Sequence, residues 1–399
     1  MRLTSQAAAT AFASVVLFTL PFSHSVALRL AGLLGAWVCL AFAWRQLDVP
    51  CIPLLRLLAA WAALGGISLF WAVDREYSAS ELKSEVLYAT LVYVLFFVLT
   101  NLERLERFRR VILLATAASF ASALHWTLWG GAGSTDAFFN GPGMYSTYLA
   151  MAYPFVLVWA LDGAQSARAR LVHALLLAGI FAGAAITLNR AIWIALALQS
   201  VLVVALHRAP PLGRWRTRTR LAAALAALLV LAGSFYAVSV KRTPPTQTSA
   251  IGNFLDDPRI EIWRWAAARI AEDPLFGAGF GRGAARAEIR ATFGHRNWEH
   301  AHNTVLNYGL AMGVGGIAIV LALFGVVLTR FVRLWRDGGA VIAPYALAGV
   351  AMVAGLFVKL MFDDFFYRQT TLFYFAVTGM LLGAHARLRR TPGSAPPTA

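Results

Sequence analysis

The stretch Glu299–Thr329, "EHAHNTVLNYGLAMGVGGIAIVLALFGVVLT", decides the architecture. From Asn303 onward it carries no charged residue over a length greater than the ~20 apolar residues that a membrane-crossing helix needs. Immediately before it, His300, His302 and Asn303 crowd the mouth of a helix that is otherwise almost devoid of polar groups. Two questions follow: how often the chain repeats such a segment, and why imidazoles stand at this one.

The repetition is pervasive. Of 399 residues, 59% are hydrophobic and 14% charged, against ~45–50% and ~25% in soluble domains. Mean hydropathy is +0.64. Apolar segments are read at 6–24, 26–44, 54–72, 85–101, 110–129, 143–161, 170–187, 190–207, 219–240, 303–329, 341–362 and 370–386. The predicted fold class is an all-α polytopic membrane protein with about twelve transmembrane helices and one long, partly helical periplasmic loop between helices nine and ten.

Arginine placement predicts orientation, because short cytoplasmic loops collect basic residues. Alternate connections, among them Arg45 and Arg56, Arg104 to Arg110, Arg168 and Arg170, Arg208 to Arg220, and Arg330 to Arg336, gather most of the arginines, as do both termini. Both termini are therefore expected in the cytoplasm, and the first helix is expected to be retained rather than removed as a signal peptide. The formal charge of +16 is explained by this asymmetry, so no nucleic-acid partner is expected. The predicted organisation is transmembrane helices over 1–240, a periplasmic loop over 241–302, transmembrane helices over 303–388 and a disordered cytoplasmic tail over 389–399.

The long loop contains a helix signal. Asp257 followed by Pro258 is a capping acid before a first-turn proline, and "RIEIWRWAAARIAED" reads as an amphipathic helix over about 258–272. At ~100° per residue, Ile260, Trp263, Ala267 and Ile270 share one stripe, with Arg259 on one flank and Arg264 on the other. Arg269 falls opposite. If the stripe packs on the membrane bundle, Arg259 and Arg264 both reach the membrane surface. Next comes "PLFGAGFGRG", with Gly279 and Gly281 in its centre. It reads either as a turn whose backbone N–H groups approach an anion or as a plain helix stop and link.

His302 lies at the start of the tenth span, with Asn303 or Thr304 as its N-cap. The helix dipole disfavours imidazolium there, so a neutral ring able to accept a proton is expected. The same helix end attracts phosphate groups. His300 points to a different side and could orient a substrate. A zinc site would draw on these two and remote Asp363 and Asp364, but no spacing requires one; the reading calls for no metal and no cofactor. Arg190, in "TLNRAIWIAL", sits in a very short outer turn. It either snorkels to head groups or clamps a diphosphate. Lys359 and Asp363 form an i,i+4 pair on paper. Lys83, at the outer start of the fourth span, is a lesser phosphate contact. "FFNGPGMYSTYLAMAYP" suits either helix packing or sugar stacking.

Taken together, "HAHNTVLNYGLAMGVGG", "DPRIEIWRWAAARIAEDPLFGAGFG" and "LNRAIWIAL" resemble the O-antigen ligase and polymerase superfamily, as does the layout with one long loop between spans nine and ten. The resemblance implies a bacterial inner-membrane enzyme whose active site faces the periplasm. Its donor would be a glycan linked to undecaprenyl diphosphate, and its acceptor a sugar of lipid A–core. Transfer would proceed with inversion and without a metal ion. The resemblance further implies that His302 is the essential histidine and that Arg190, with Arg259 or Arg264, binds the diphosphate; His300, Asn303, Lys83, Gly279 and Gly281 remain substrate-binding candidates. Membrane lipids are the remaining expected partners. Within the superfamily, one large loop and a chain that stops soon after the last span favour an O-antigen ligase over a polymerase or a protein O-oligosaccharyltransferase. A lipid-linked glycan transporter is the alternative of a different class; it would require broken helices near the bilayer midplane.

Overall fold

The structure, a computed structural model, describes residues 5–47, 49–129, 136–161, 166–207, 217–242, 257, 259–294 and 298–390. Pro258, the arginines at 208, 214 and 216, and the tail beyond residue 390 lie outside this set. In chain order the first helices are α1 (Ser5–Thr19), α2 (Val26–Ala43), α3 (Leu55–Ser68), α4 (Arg75–Leu82) and α5 (Tyr88–Leu99). Next come α6 (Leu102–Trp129), α7 (Asp136–Phe139), α8 (Pro142–Ala160), α9 (Ala167–Ile186), α10 (Arg190–Leu206) and α11 (Thr217–Arg242). The long connection holds α12 (Arg259–Glu272) and α13 (Arg286–Phe293), before α14 (Thr304–Asp337), α15 (Gly339–Leu360) and α16 (Gln369–Leu388).

Every apolar segment expected from the sequence has most of its length in one of these helices. Six stretches are long and apolar enough to cross a membrane: Ser23–Ala43, Arg75–Leu99, Leu102–Trp129, Ala167–Ile186, Thr304–Asp337 and Gly339–Leu360. Ser5–Thr19, Leu55–Ser68, Arg190–Leu206 and Leu231–Val240 are shorter and also apolar. The protein is an all-helical polytopic membrane protein; twelve crossings remain a reading of the sequence. Several boundaries differ from expectation: α1 ends at Thr19 and α3 at Ser68, short of 24 and 72, α6 begins at Leu102 rather than 110, and α14 runs on to Asp337 rather than 329. The segment expected to begin at 85 starts at Arg75, because Asp74 caps α4 by accepting the Tyr77 N–H at 3.0 Å. A π turn at Lys83–Leu87 then joins α4 to α5.

Two helices form the interior. In α8 every residue from Gly143 to Val156 is buried, and in α16 every residue from Gln369 to Ala384. A helix without a polar face belongs inside a bundle. Facing protein rather than lipid, these two tolerate hydroxyls, which bond back to their own backbone: Thr147 to the Gly143 carbonyl at 2.7 Å and Thr378 to the Tyr374 carbonyl at 2.8 Å. The aromatic opening of α8 is used for packing, with Phe139 and Tyr145 stacked at a centroid distance of 4.1 Å. Glycines let α16 lie directly on α5: a Cβ on Gly383 would stand 2.3 Å from the Phe97 carbonyl oxygen, the small-residue contact typical of membrane helices.

The long connection packs on one end of the bundle. Ile262, Ala266 and Ile270 of α12 are buried with Ile289 of α13 and Leu310 of α14 in a small separate core. The stripe expected at Ile260, Trp263, Ala267 and Ile270 is therefore rotated. At ~100° per residue, its true centre lies beside Arg259 and ~160° from Arg264. Trp263 misled the phasing: its indole N–H donates to the Ala301 carbonyl at 2.8 Å, so it sits at the edge of the stripe rather than in the middle.

A kink in α14 completes this end. Met312 and Gly313 leave helical geometry, Gly313 with φ +61°. The Leu310 and Ala311 carbonyls so released accept the N–H groups of Ala278 and Gly279 at 2.8 and 3.0 Å, while Val314 N–H donates to Pro274 O at 2.8 Å. Non-helical backbone inside an apolar helix is tolerated here because protein groups satisfy it.

Candidate functional site

The short turn between α9 and α10 is the first component. Asn189 caps α10, its side-chain oxygen accepting the Ala191 N–H at 3.0 Å, as Asn does at N-cap positions. Its amide nitrogen meanwhile donates to Oδ2 of Asp363 at 2.7 Å. One residue on, the Arg190 guanidinium reaches Oδ2 of Asp257 at 3.3 Å. The cap thus ties the N-terminus of α10 to the connection between α15 and α16, and turns Arg190 toward the start of α12.

Arg259 opens α12. Its Nη1 donates to the Phe362 carbonyl at 2.7 Å, and its Nε lies 3.9 Å from Oδ1 of Asp257. Asp257 therefore bridges two guanidiniums, while also accepting the Arg259 backbone N–H at 3.0 Å as a helix cap. Arg190, Asp257 and Arg259 line a cleft of about 100 Å³ together with Ile194, Phe235 and Trp263. Its polar end is cationic and its other walls are apolar.

His302 is held from two sides. It precedes the helix whose N-cap is Asn303, which accepts the Leu306 N–H at 3.1 Å and donates to Met361 O at 3.1 Å. The His302 backbone is left-handed, φ +52°, a conformation disfavoured for a residue with a Cβ and common at sites the surroundings must enforce. Its Nδ1 faces Oδ1 of Asp363 at 3.8 Å, beyond a hydrogen bond and within Coulombic reach. A carboxylate there favours the tautomer with the proton on Nδ1, leaving the Nε2 lone pair to accept one.

Asp363 is the hub. Its Oδ2 also lies 3.4 Å from Nζ of Lys359, a fully buried ammonium that donates to Thr147 at 2.8 Å. Burial by itself would push the Asp363 carboxyl up; the Lys359 charge, with His302, Arg259 and Asn189, more than reverses this and holds it well below the usual carboxylate range. It therefore stays ionised. Next to it Asp364 accepts from Thr304 at 2.6 Å and from Asn307, and lies 3.9 Å from Arg282.

Arg282 braces the histidine segment from behind. Its guanidinium stacks over Phe365 and Tyr367 at 4.6 and 4.5 Å from the ring centroids and meets Nε2 of His300. Nδ1 of His300 in turn faces the His302 N–H at 3.1 Å; a neutral imidazole accepts at only one of its nitrogens, so these two contacts compete for it. Burial first, then the neighbouring Arg282 charge, push the His300 pKa well below the ordinary imidazole value. His300 is a neutral brace for the backbone of His302, with its ring 4.0 Å from that of His302.

The other sequence candidates fall elsewhere. Arg264 is exposed, on the face of α12 turned away from the small core, and of the two arginines Arg259 is the one that lines the cleft. Arg269 is not on a free solvated face: it bonds Glu288 of α13 at 2.9 Å. Lys83 is exposed and does not line the cleft. Gly279 and Gly281 are buried with φ +102° and +119°, and the Gly279 N–H is used on the kinked helix. A Cβ there would sit 2.5 Å from Ala72. This turn joins α12 to the bundle and offers no anion nest at Gly279. Asp363 entered the sequence reading only as a remote zinc ligand and as the partner of Lys359, not as a partner of His302, and Arg282 did not enter it at all. An acidic pair just past an apolar span, on the same side as His302, was the available signal for the first; Arg282 offered none.

The model of the O-antigen ligase family matches residues 174–321, a range that contains Arg190, Asp257, Arg259, Arg282, His300 and His302 and ends before Lys359 and Asp363. Among curated proteins no significant match to the chain is found. The matched range takes in the arginine-bridged cleft and His302, so this part of the chain is similar to the O-antigen ligase family.

Proposed function

We propose that the protein is an inverting, metal-independent glycosyltransferase that moves O-antigen glycan from undecaprenyl diphosphate to a sugar hydroxyl of lipid A–core. The observation that carries this reading is the convergence of two guanidiniums and one carboxylate-paired imidazole on the same end of the bundle. In the reaction the acceptor oxygen attacks the anomeric carbon as its bond to the diphosphate oxygen breaks. The hydroxyl proton passes to Nε2 of His302, and the leaving undecaprenyl diphosphate keeps the electron pair. A single displacement of this kind inverts the anomeric centre.

Each group has a physical task. The leaving diphosphate gains negative charge, which Arg190 and Arg259 stabilise. Asp257, now bridging both, aligns the guanidiniums until the diphosphate takes its place between them. Asp363 orients His302 and stabilises the imidazolium formed as the proton arrives. The apolar walls at Ile194 and Phe235 receive the start of the polyprenyl chain. Two lipid-held substrates meeting at one surface reduce the entropic cost of encounter. Clustering at one end of the bundle favours chemistry there over a transport path through the midplane.

The test is a reconstituted assay with a lipid-linked glycan donor, in the presence of EDTA, offering three acceptors separately: lipid A–core, a second lipid-linked repeat unit and a Ser/Thr peptide. Transfer to lipid A–core alone is expected. Transfer only to the lipid-linked repeat would reassign the protein as a polymerase, and transfer only to peptide as a protein O-oligosaccharyltransferase.

A further inference from the structure

At the opposite end of the bundle, about 25 Å away along α10 at 1.5 Å per residue, lies a second cavity. It measures about 1220 Å³, larger than the ~300–1,000 Å³ usual for small-molecule pockets. Arg109 and Arg110 of α6, Arg168 of α9, and the buried His173 and His207 contribute to its wall. Among the described residues the one carboxylate lining it, Glu106, is already engaged: Arg109 grips both its oxygens, Arg110 lies at 3.7 Å, and the Tyr345 hydroxyl donates at 2.9 Å. Arg168 is exposed and forms no ion pair among the described residues. The cavity therefore carries excess positive charge.

Its lining is amphipathic in a way that selects a ligand. Arg109 lies over the Trp159 ring at 5.3 Å from its centroid, and Tyr345 packs edge-on against Trp159 at 6.0 Å. Arginine with Trp and Tyr marks the headgroup level of a membrane protein. Leu113, Val172 and Val341 supply aliphatic wall to the same cavity. The positive-inside rule accounts for arginines on this face, but not for their arrangement around a concavity with an aromatic floor and an apolar side. Basic pockets between transmembrane helices are suited to anionic lipid head groups.

We propose that this cavity binds a phosphate-bearing anion, supplied as the headgroup of an anionic phospholipid. The phosphate sits between Arg109, Arg110 and Arg168, and the first acyl carbons lie against Leu113, Val172 and Val341. The site is separate from the glycan-transfer chemistry and stands whether or not that reading holds.

The full chain, purified in mild detergent and offered phosphatidylglycerol or phosphatidylcholine, is examined by native mass spectrometry for retained lipid. The wild type is expected to retain phosphatidylglycerol preferentially, and Arg109→Gln and Arg168→Gln each to reduce that retention about tenfold, the loss of one charge-assisted contact. Arg168→Gln removes an exposed side chain without an ion pair among the described residues, so it reads the site even if Arg109→Gln fails to fold. A parallel arm uses inorganic phosphate with melting temperature as readout. Stabilisation by phosphate that depends on the same arginines, without selective lipid retention, would overturn the lipid source and keep the phosphate site. Equal retention of both lipids, or retention unchanged in both variants, overturns the proposal.

Discussion

The two ends of the bundle both carry arginines beside a carboxylate, and they are wired differently. At the far end, Glu106 takes Arg109 and Arg110 from its own helix, at i,i+3 and i,i+4. Such pairs form in any isolated helix and contribute only ~0.2–0.5 kcal/mol. At the His302 end, Asp363 gathers Asn189 from across the bundle, Lys359 from its own helix end, and His302, and the Arg190–Asp257 pair joins segments 67 residues apart. Apart from the Tyr345 hydroxyl bonded to Glu106 across the bundle, the far end's carboxylate pairs are local and serve helix stability. Long-range pairs around an ionised, nearly buried carboxylate fix atoms relative to one another, which is what a reaction geometry requires.

The largest way to break this comparison is at the arginines. Arg190→Ala and Arg259→Ala should each lower kcat for glycan transfer on the order of 10²–10³-fold, the scale of a lost transition-state charge contact. Arg264→Ala should stay within about threefold, as surface substitutions do. A reversed order of Arg259 and Arg264 would mean that α12 turns on its axis when substrate binds. Asp363→Asn should cost about 10–100-fold, in the range of an orienting partner. The loss should fall on kcat rather than KM, because Asp363 orients the imidazole and does not touch the donor. A loss confined to KM would leave Asp363 with a packing role only.

The smallest effect concerns the brace. The His300 pKa lies below its unfolded value, so the unfolded chain takes up a proton first as pH falls. Stability is full above the ordinary imidazole pKa of ~6.5 and declines below it, by up to ~1.4 kcal/mol per pH unit. Melting temperature measured from pH 7.5 to 5 should therefore fall more steeply for the wild type than for His300→Gln. Parallel curves would place the acid sensitivity elsewhere.

Local rules made part of this legible in the sequence. The apolar segments, the Asp257 and Asn303 caps and the Lys359–Asp363 pair all depend on residues within a few positions of one another, and each lies where its spacing puts it. What failed depends on packing. The face of α12 could not be phased because Trp263 is both apolar and a hydrogen-bond donor, so a periodicity count places it mid-stripe. The glycine turn could not be decided between anion-facing turn and plain helix stop, because nothing in its own sequence shows that a distant helix kinks at Gly313 and offers it carbonyls. Asp363 and His302 are brought together only by the docking of α15 against α14, and Arg282 only by the folding of the long connection beneath both.

The central claim is that His302 takes the acceptor's proton in a site that binds donor through other residues. Single-turnover transfer from a lipid-linked glycan by His302→Ala, with donor binding measured on the same preparation, tests it most directly. Donor affinity should be preserved while the transfer rate falls by about 10²–10⁴, the range of a lost general base. A transfer rate within tenfold of the wild type, or a loss confined to donor affinity, would contradict it.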